Sequence, residues 1–187
     1  DIMAGLASGL GVIAASFLLA VAVLNEKWMV AAFTVALIGA LLGFLRSNFY
    51  PATIYLGDCG SLFIGLTLGA LAMVLDYTTY NPLGWLAPLY ILAVPVIDTL
   101  YVIVLRLKAG RKVYYGSPDH FPLRVRRRLD GWTAGTVGVS YAVAVIFGAL
   151  GLVVLVLDPM STLILTGVVG LVTVGLLVWL AMVPMEA

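Results

Sequence analysis

Charge is what this sequence lacks: only 10% of its 187 residues are Asp, Glu, Lys or Arg, while 63% are hydrophobic and the mean hydropathy is +1.15. A water-soluble domain carries roughly 25% charged residues. A chain this apolar cannot cover itself with a polar surface, so its excess must face lipid. The net charge of +1 says little by itself, and no nucleic-acid partner is expected. Cysteine is nearly absent as well. With Cys59 alone there is no internal disulfide, and the redox compartment stays open. No basic leader precedes the first apolar run, and the chain opens Asp1-Ile2-Met3, which reads as part of a longer protein. Internal repeats and low-complexity linkers are also missing, so residues 1–187 are expected to form a single transmembrane domain.

What the chain does have is long apolar runs. Six of them reach or approach the roughly 20 residues that cross hydrocarbon: Met3–Leu24, Trp28–Leu45, Ser61–Leu75, Trp85–Leu105, Thr133–Leu157 and Thr162–Val183. Strands would leave unpaired backbone groups in lipid, and the alternation of a membrane barrel is absent from Leu150–Leu157. The expected class is all-α, a polytopic membrane protein of about six transmembrane helices. Glycine pairs such as Gly65/Gly69, Gly148/Gly151 and Gly167/Gly170 predict close helix contacts.

The few charges are sharply distributed. If the helices alternate, Arg46, Arg106, Lys108, Arg111, Lys112, Arg124, Arg126, Arg127 and Arg128 share one side, and only Lys27 lies opposite. Cytoplasmic loops collect Lys and Arg. The chain start, the 46–60 segment, the basic loop over residues 106–132 and the chain end are therefore expected on the cytoplasmic face. The turns at Asn25–Lys27, 76–84 and 158–161 are expected on the outer one.

Acids at the cytoplasmic boundary are costly and mark candidate sites: Asp1, Asp58 and Asp98. Asp58 lies in Gly57-Asp58-Cys59-Gly60-Ser61, at the entrance of the third run. Glycines permit close backbone approach, a helix start offers free N–H groups for phosphate, and a carboxylate is the hard oxygen donor that Mg²⁺ shares with substrate phosphates. The plain alternative is that Asp58 or Ser61 only caps the helix.

Asn48, Pro51-Ala52, Gly57-Asp58-x-Gly60-Ser61 and Gly65 together resemble the N-x-x-P-A…G-D-x-G-S-x-x-x-G signature of the polyprenyl-phosphate N-acetylhexosamine-1-phosphate transferases. The opening Asp1-Ile2-Met3-Ala4-Gly5-Leu6-Ala7-Ser8-Gly9 resembles that family's N-x-x-D-x-x-D-G-L-A-x-G segment, with Ala4 where the second aspartate stands. Pro95-Val96-Ile97-Asp98-Thr99 followed by Arg106 resembles its P-x-x-D-T…R helix. Gly116-Ser117-Pro118-Asp119-His120-Phe121 partly resembles its S-P-x-x-D-x-x-H-x-H-H-x-L loop, whose histidine positions fall here on Pro122, Arg124 and Val125. Arginine can replace a histidine as a phosphate clamp, though not as a base.

The resemblance implies an enzyme that transfers an N-acetylhexosamine 1-phosphate from a UDP-sugar to a polyprenyl phosphate, releasing UMP and starting cell-envelope glycan synthesis in the inner (plasma) membrane. It implies Mg²⁺, or Mn²⁺, held through Asp58, with Asp58 and Asp1 catalytic. Asn48, Gly60, Ser61, Asp98, Asp119, His120, Arg124, Arg126 and Arg127 would bind substrate. The family's earlier helices, with their adjacent aspartates, are absent from this chain, so the fragment alone is not expected to catalyse, and a homodimer is compatible with the reading. Plainer roles stand beside these: Asp98 could pair with a neighbouring helix, the arginines could mark topology or meet anionic headgroups, and His120 could be an ordinary loop residue. Two other functions compete. A non-catalytic relative that binds lipid or nucleotide sugar is suggested by Ala4. A transporter would spread ionisable groups through the bilayer depth, whereas only the fourth run, at Asp98, holds one internally.

Overall fold

The computed structural model describes residues 2–108, 110 and 120–182, and among them every regular element is helical. Eight α-helices follow one another: α1 Leu6–Leu24, α2 Trp28–Asn48, α3 Gly57–Val74, α4 Ala87–Ile91, α5 Ala93–Lys108, α6 Phe121–Arg128, α7 Thr133–Val156 and α8 Pro159–Ala181. Five of these, α1, α2, α3, α7 and α8, are long and apolar enough to cross a membrane alone. They are hydrophobic on all sides, as a helix must be when lipid or protein surrounds it.

The fourth apolar run departs from the expected single span. It is broken into a 3₁₀ turn at Gly84–Leu86, then α4, then α5, with a 75° bend between Gly84–Ile91 and Ala93–Lys108. The cause lies in the sequence: Pro95 has no N–H, and its ring collides with the carbonyl four residues back, at Ile91, where α4 stops. Counted as one broken span, the pair makes the sixth crossing. The basic segment also contains more order than a loop, because α6 lies within it.

Hydrogen bonds sort the helix ends into two layers. In one, Lys27 pairs with Asp76 at 2.7 Å and Asn25 donates to the Asp76 carbonyl. The buried Asn81 amide donates to the Val154 carbonyl and the Thr162 hydroxyl at 2.7 and 2.9 Å. Asp158 begins α8 there by accepting the Ser161 N–H, a bond that lowers its carboxyl pKa. The opposite layer joins Gly5 to Asn48, Asp98 to His120 and Arg124 to the end of α8. This is the grouping expected from alternation, with Arg46, Arg106, Arg124, Arg126, Arg127 and Arg128 in the second layer; Arg111 and Lys112 lie outside the described residues.

Helix α1 is the hub. Half of its span is buried, against 6% for α8, and it packs on α2, α7 and α3. Only one of the three expected glycine contacts forms. A Cβ on Gly148 would lie 2.2 Å from the Phe17 ring, and one on Gly151 would lie 3.0 Å from the Ala87 carbonyl oxygen, whereas Gly65, Gly69, Gly167 and Gly170 face open space. Gly148→Leu should therefore destabilise the protein by roughly 1–3 kcal/mol through overpacking, while Gly167→Leu should be neutral. Thermal unfolding in detergent compares the two directly, and equal midpoints would contradict the packing.

Candidate active site

The site is organised by Asn48. Its side chain, 0% exposed, accepts the Gly5 N–H at 3.0 Å and the Ser8 hydroxyl at 2.9 Å, and donates to the Ile54 carbonyl at 3.0 Å. One amide thus ties the chain's opening segment to the loop that leads into α3. Gly5 can accept this role because its φ of +77° suits glycine. Its carbonyl in turn accepts a hydrogen bond from the Tyr141 hydroxyl on α7. That approach needs Gly9, where a Cβ would stand 1.8 Å from the phenol oxygen. Asn48 was expected to bind substrate; the structure gives its amide three intramolecular partners. Gly5 and Ser8 lie in the opening segment that resembles a family signature but were not expected as site residues, and no signal in the sequence pointed to Tyr141.

Asp58 stands four residues beyond Ile54, in the first turn of α3 and exposed. Gly57 precedes it at φ +67°, a conformation that glycine adopts without strain. The capping alternative does not describe it, since no side chain caps α3 and the Ser61 hydroxyl donates to the Asp58 backbone carbonyl at 3.0 Å. The Asp58 carboxylate has no hydrogen-bond or ion-pair partner among the described residues. Because α3 ends at Val74 against Lys27 in the opposite layer, roughly 24 Å from Asp58 at 1.5 Å per residue, Asp58 lies in the layer of Asn48 and the described arginines. Gly60, two residues further along α3, packs where a Cβ would come 2.6 Å from the Leu56 side chain.

No group of three or more His, Cys, Asp or Glu side chains capable of holding a metal occurs among the described residues. Mg²⁺ keeps several waters and asks for only one or two carboxylates plus substrate phosphates, so a lone exposed Asp58 fits as one ligand of such an ion. Asp1 and Asp119, both expected at the site, lie outside the described residues.

The second part of the site joins α5 to α6. Asp98 uses both carboxylate oxygens: Oδ2 meets His120 Nδ1 at 2.7 Å, and Oδ1 accepts the Phe121 N–H at 2.8 Å. The arginines divide. Arg124 is buried, lies 5.8 Å from the Tyr101 ring centroid, and donates to the Leu180 and Ala181 carbonyls at 3.3 Å, where a cation suits a helix C-terminus. Arg126 and Arg127 are exposed, and Arg126 Nε donates to the Gly131 carbonyl at 3.2 Å.

Beside this junction, α4, α5, α7 and α8 enclose an apolar groove of about 580 Å³. Leu89, Ile97, Leu100, Val104 and Leu177 are among its lining, and Lys108 is the one charged residue among the described residues that line it.

Helices of membrane-spanning length, with an exposed acid at a helix start and a basic helix in one layer, define a polytopic membrane protein class. Residues 1–76 match the family model described as glycosyl transferase family 4. The chain belongs to that family. It is 32% identical over 154 residues to a Bacillus subtilis protein named "Probable undecaprenyl-phosphate N-acetylglucosaminyl 1-phosphate transferase", covering 82% of this chain and 42% of that protein. It is 35% identical over 154 residues to the phospho-N-acetylmuramoyl-pentapeptide-transferase of Limosilactobacillus fermentum, covering 80% of this chain and 45% of the relative. A Clostridium botulinum protein of the same name is 37% identical over 122 residues, 62% of this chain and 35% of its own. The chain thus spans less than half the length of these relatives.

Proposed function

We propose that the full-length protein transfers an N-acetylhexosamine 1-phosphate from its UDP donor to a polyprenyl phosphate at the cytoplasmic face of the inner membrane, releasing UMP. The observation that carries this reading is the Asn48 knot. It joins the two signature segments and leaves the Asp58 carboxylate exposed beside them, in the layer that holds the arginines. Similarity to relatives named for polyprenyl-linked and cell-wall sugar transfer supports the same reading.

The chemistry asks more for positioning than for acid–base work. Asp58 would hold Mg²⁺, which when bound offsets negative charge on a diphosphate. Asn48 keeps the 48–58 loop against α1, so that Asp58 and the helix start face one direction. Exposed Arg126 and Arg127 offer planar cations to phosphate oxygens. The apolar groove, ending at Lys108, suits a prenyl chain whose phosphate rests at the basic layer.

Full-length protein in lipid vesicles, supplied with Mg²⁺, polyprenyl phosphate and a UDP-sugar, should release UMP and form a lipid-linked diphosphosugar. Comparing UDP-N-acetylglucosamine with UDP-N-acetylmuramoyl-pentapeptide tests the donor, and UMP release with one of these two N-acetylhexosamine donors is expected. Substrate binding without UMP release would favour the non-catalytic reading that Ala4 suggests. Absence of both binding and release would overturn the assignment.

A further inference from the structure

Both backbone polar groups of the buried Gly5 reach other helices. Its N–H donates to Asn48 Oδ1 at the end of α2, 3.0 Å away, and its carbonyl accepts the Tyr141 hydroxyl from α7. Asn48 carries the connection onward, since its amide donates to the Ile54 carbonyl, four residues before Asp58. Helix α7 carries it the other way. It follows α6 after the turn at Asp130 and Gly131, where φ is +50° and +86°, and it packs on α6. Leu123 of α6 and Tyr141 both lie against the apolar cluster of Met3, Leu6 and Val137. A line of contacts therefore runs from the acid end of α3 to the basic helix, and the Tyr141 hydroxyl supplies the directional bond between α7 and Gly5.

Resting on the transferase reading above, we infer that Tyr141 is a positioning residue: through Gly5 and Asn48 its hydroxyl fixes the spacing between the Asp58 loop and the basic helix α6. Tyr141 touches no substrate in this role. Phosphoryl transfer needs the attacking and leaving oxygens in line, so the groups that hold the two phosphates must not drift against each other. Here those groups stand on different elements, Asp58 at the start of α3 and Arg126 and Arg127 on α6. Apolar packing such as that around Met3 is not directional, and it tolerates small slides. A hydrogen bond sets both distance and direction. The sequence leaves room for this one bond at two glycines: Gly5 takes a φ of +77°, and at Gly9 a Cβ would stand 1.8 Å from the phenol oxygen.

The test is Tyr141→Phe in the full-length protein, which removes the hydroxyl and keeps the ring. The Gly5 carbonyl still accepts the Gly9 N–H at 3.0 Å and the Ser8 hydroxyl at 3.4 Å, so no buried acceptor is stranded, and the thermal midpoint should fall by no more than about 2–4 °C. At temperatures where both proteins are folded, kcat for UMP release should fall roughly ten- to a hundredfold, while KM for each substrate stays within about twofold, because alignment is lost and binding is not. Gly9→Ala puts a methyl group where the phenol oxygen stands, so it should act by the same route, and the double variant should be no slower than the slower single one. Losses that multiply would contradict a shared route. A lower midpoint with an unchanged kcat would make Tyr141 merely structural, and a raised KM for one substrate alone would move its role to binding; either result overturns the inference. A second readout needs no turnover. Spin labels at the exposed Cys59, beside Asp58, and at a cysteine introduced by Trp132→Cys, an exposed position at the start of α7, are compared in a background otherwise free of cysteine. One narrow distance is expected with Tyr141 in place, and a wider or displaced distribution with Tyr141→Phe. Identical distributions would refute the role of Tyr141, whereas a distance that Tyr141→Phe widens in a protein that releases no UMP would refute only the transferase reading.

Discussion

Asp58→Asn in the full-length protein is expected to lower the rate of UMP release by roughly a hundred- to a thousandfold, the loss typical when one electrostatic group at a charged transition state is removed. The substitution keeps size and shape and removes only the negative charge. Folding should be untouched, because the carboxylate is exposed and no described residue depends on it. The helix start should hold too, since Ser61 bonds to the Asp58 backbone carbonyl and not to its side chain. An unchanged thermal midpoint alongside the fallen rate would separate chemistry from stability. The Mg²⁺ concentration for half-maximal rate should rise in Asp58→Asn, because a neutral amide is a poorer ligand for a hard cation. Wild-type rates in this variant would remove Asp58 from the reaction altogether.

The second large effect belongs to Asn48→Ala. This change strands the buried Gly5 N–H, leaves the Ser8 hydroxyl only its 3.4 Å bond to the Gly5 carbonyl, and frees the part-buried Ile54 carbonyl, where the Asn48 side chain is 0% exposed. An unsatisfied buried polar group costs about 1–3 kcal/mol, so a total of roughly 2–5 kcal/mol is expected after partial relaxation. Ser8→Ala removes one hydroxyl and leaves the Gly5 and Ile54 bonds intact, and about 1 kcal/mol is expected for it. The order of thermal midpoints in detergent should be wild type, then Ser8→Ala, then Asn48→Ala. Asn48→Ala should also lose at least about tenfold in UMP release at temperatures where it is still folded, because a catalytic loop displaced by even about 1 Å loses alignment. A variant as stable as the wild type would show that the knot is dispensable.

The sequence was a good guide wherever the determining physics is local or compositional. Helices α1, α2, α3, α7 and α8 fall where the apolar runs do, because a backbone in lipid must satisfy its own hydrogen bonds. The break of the fourth run was written in Pro95 but reads as tolerable, since membrane helices often contain proline. Glycine spacing alone misled in two pairs of three: Gly148 and Gly151 meet neighbours, while Gly65, Gly69, Gly167 and Gly170 meet none. Spacing selects a helix face, but it does not say whether another helix lies against that face. Among the candidate site residues, Asp58 was legible as an acid at a glycine-rich helix entrance, but its exposure was not. Asn48 and Arg124 were legible as important residues, though their intramolecular bonds were not.

The sequence by itself determined that this chain lives in lipid, that its described elements are helical, and that its arginines gather at one set of helix ends; each follows from the cost of placing charge or unpaired backbone in hydrocarbon. Only the tertiary structure decided which polar groups meet. Gly5 and Asn48 are 43 residues apart, Asp98 and His120 are 22 apart, and Tyr141 reaches Gly5 across 136. Hydrogen bonds act over about 3 Å and depend on direction. No pattern along the chain encodes that distance until the helices have packed.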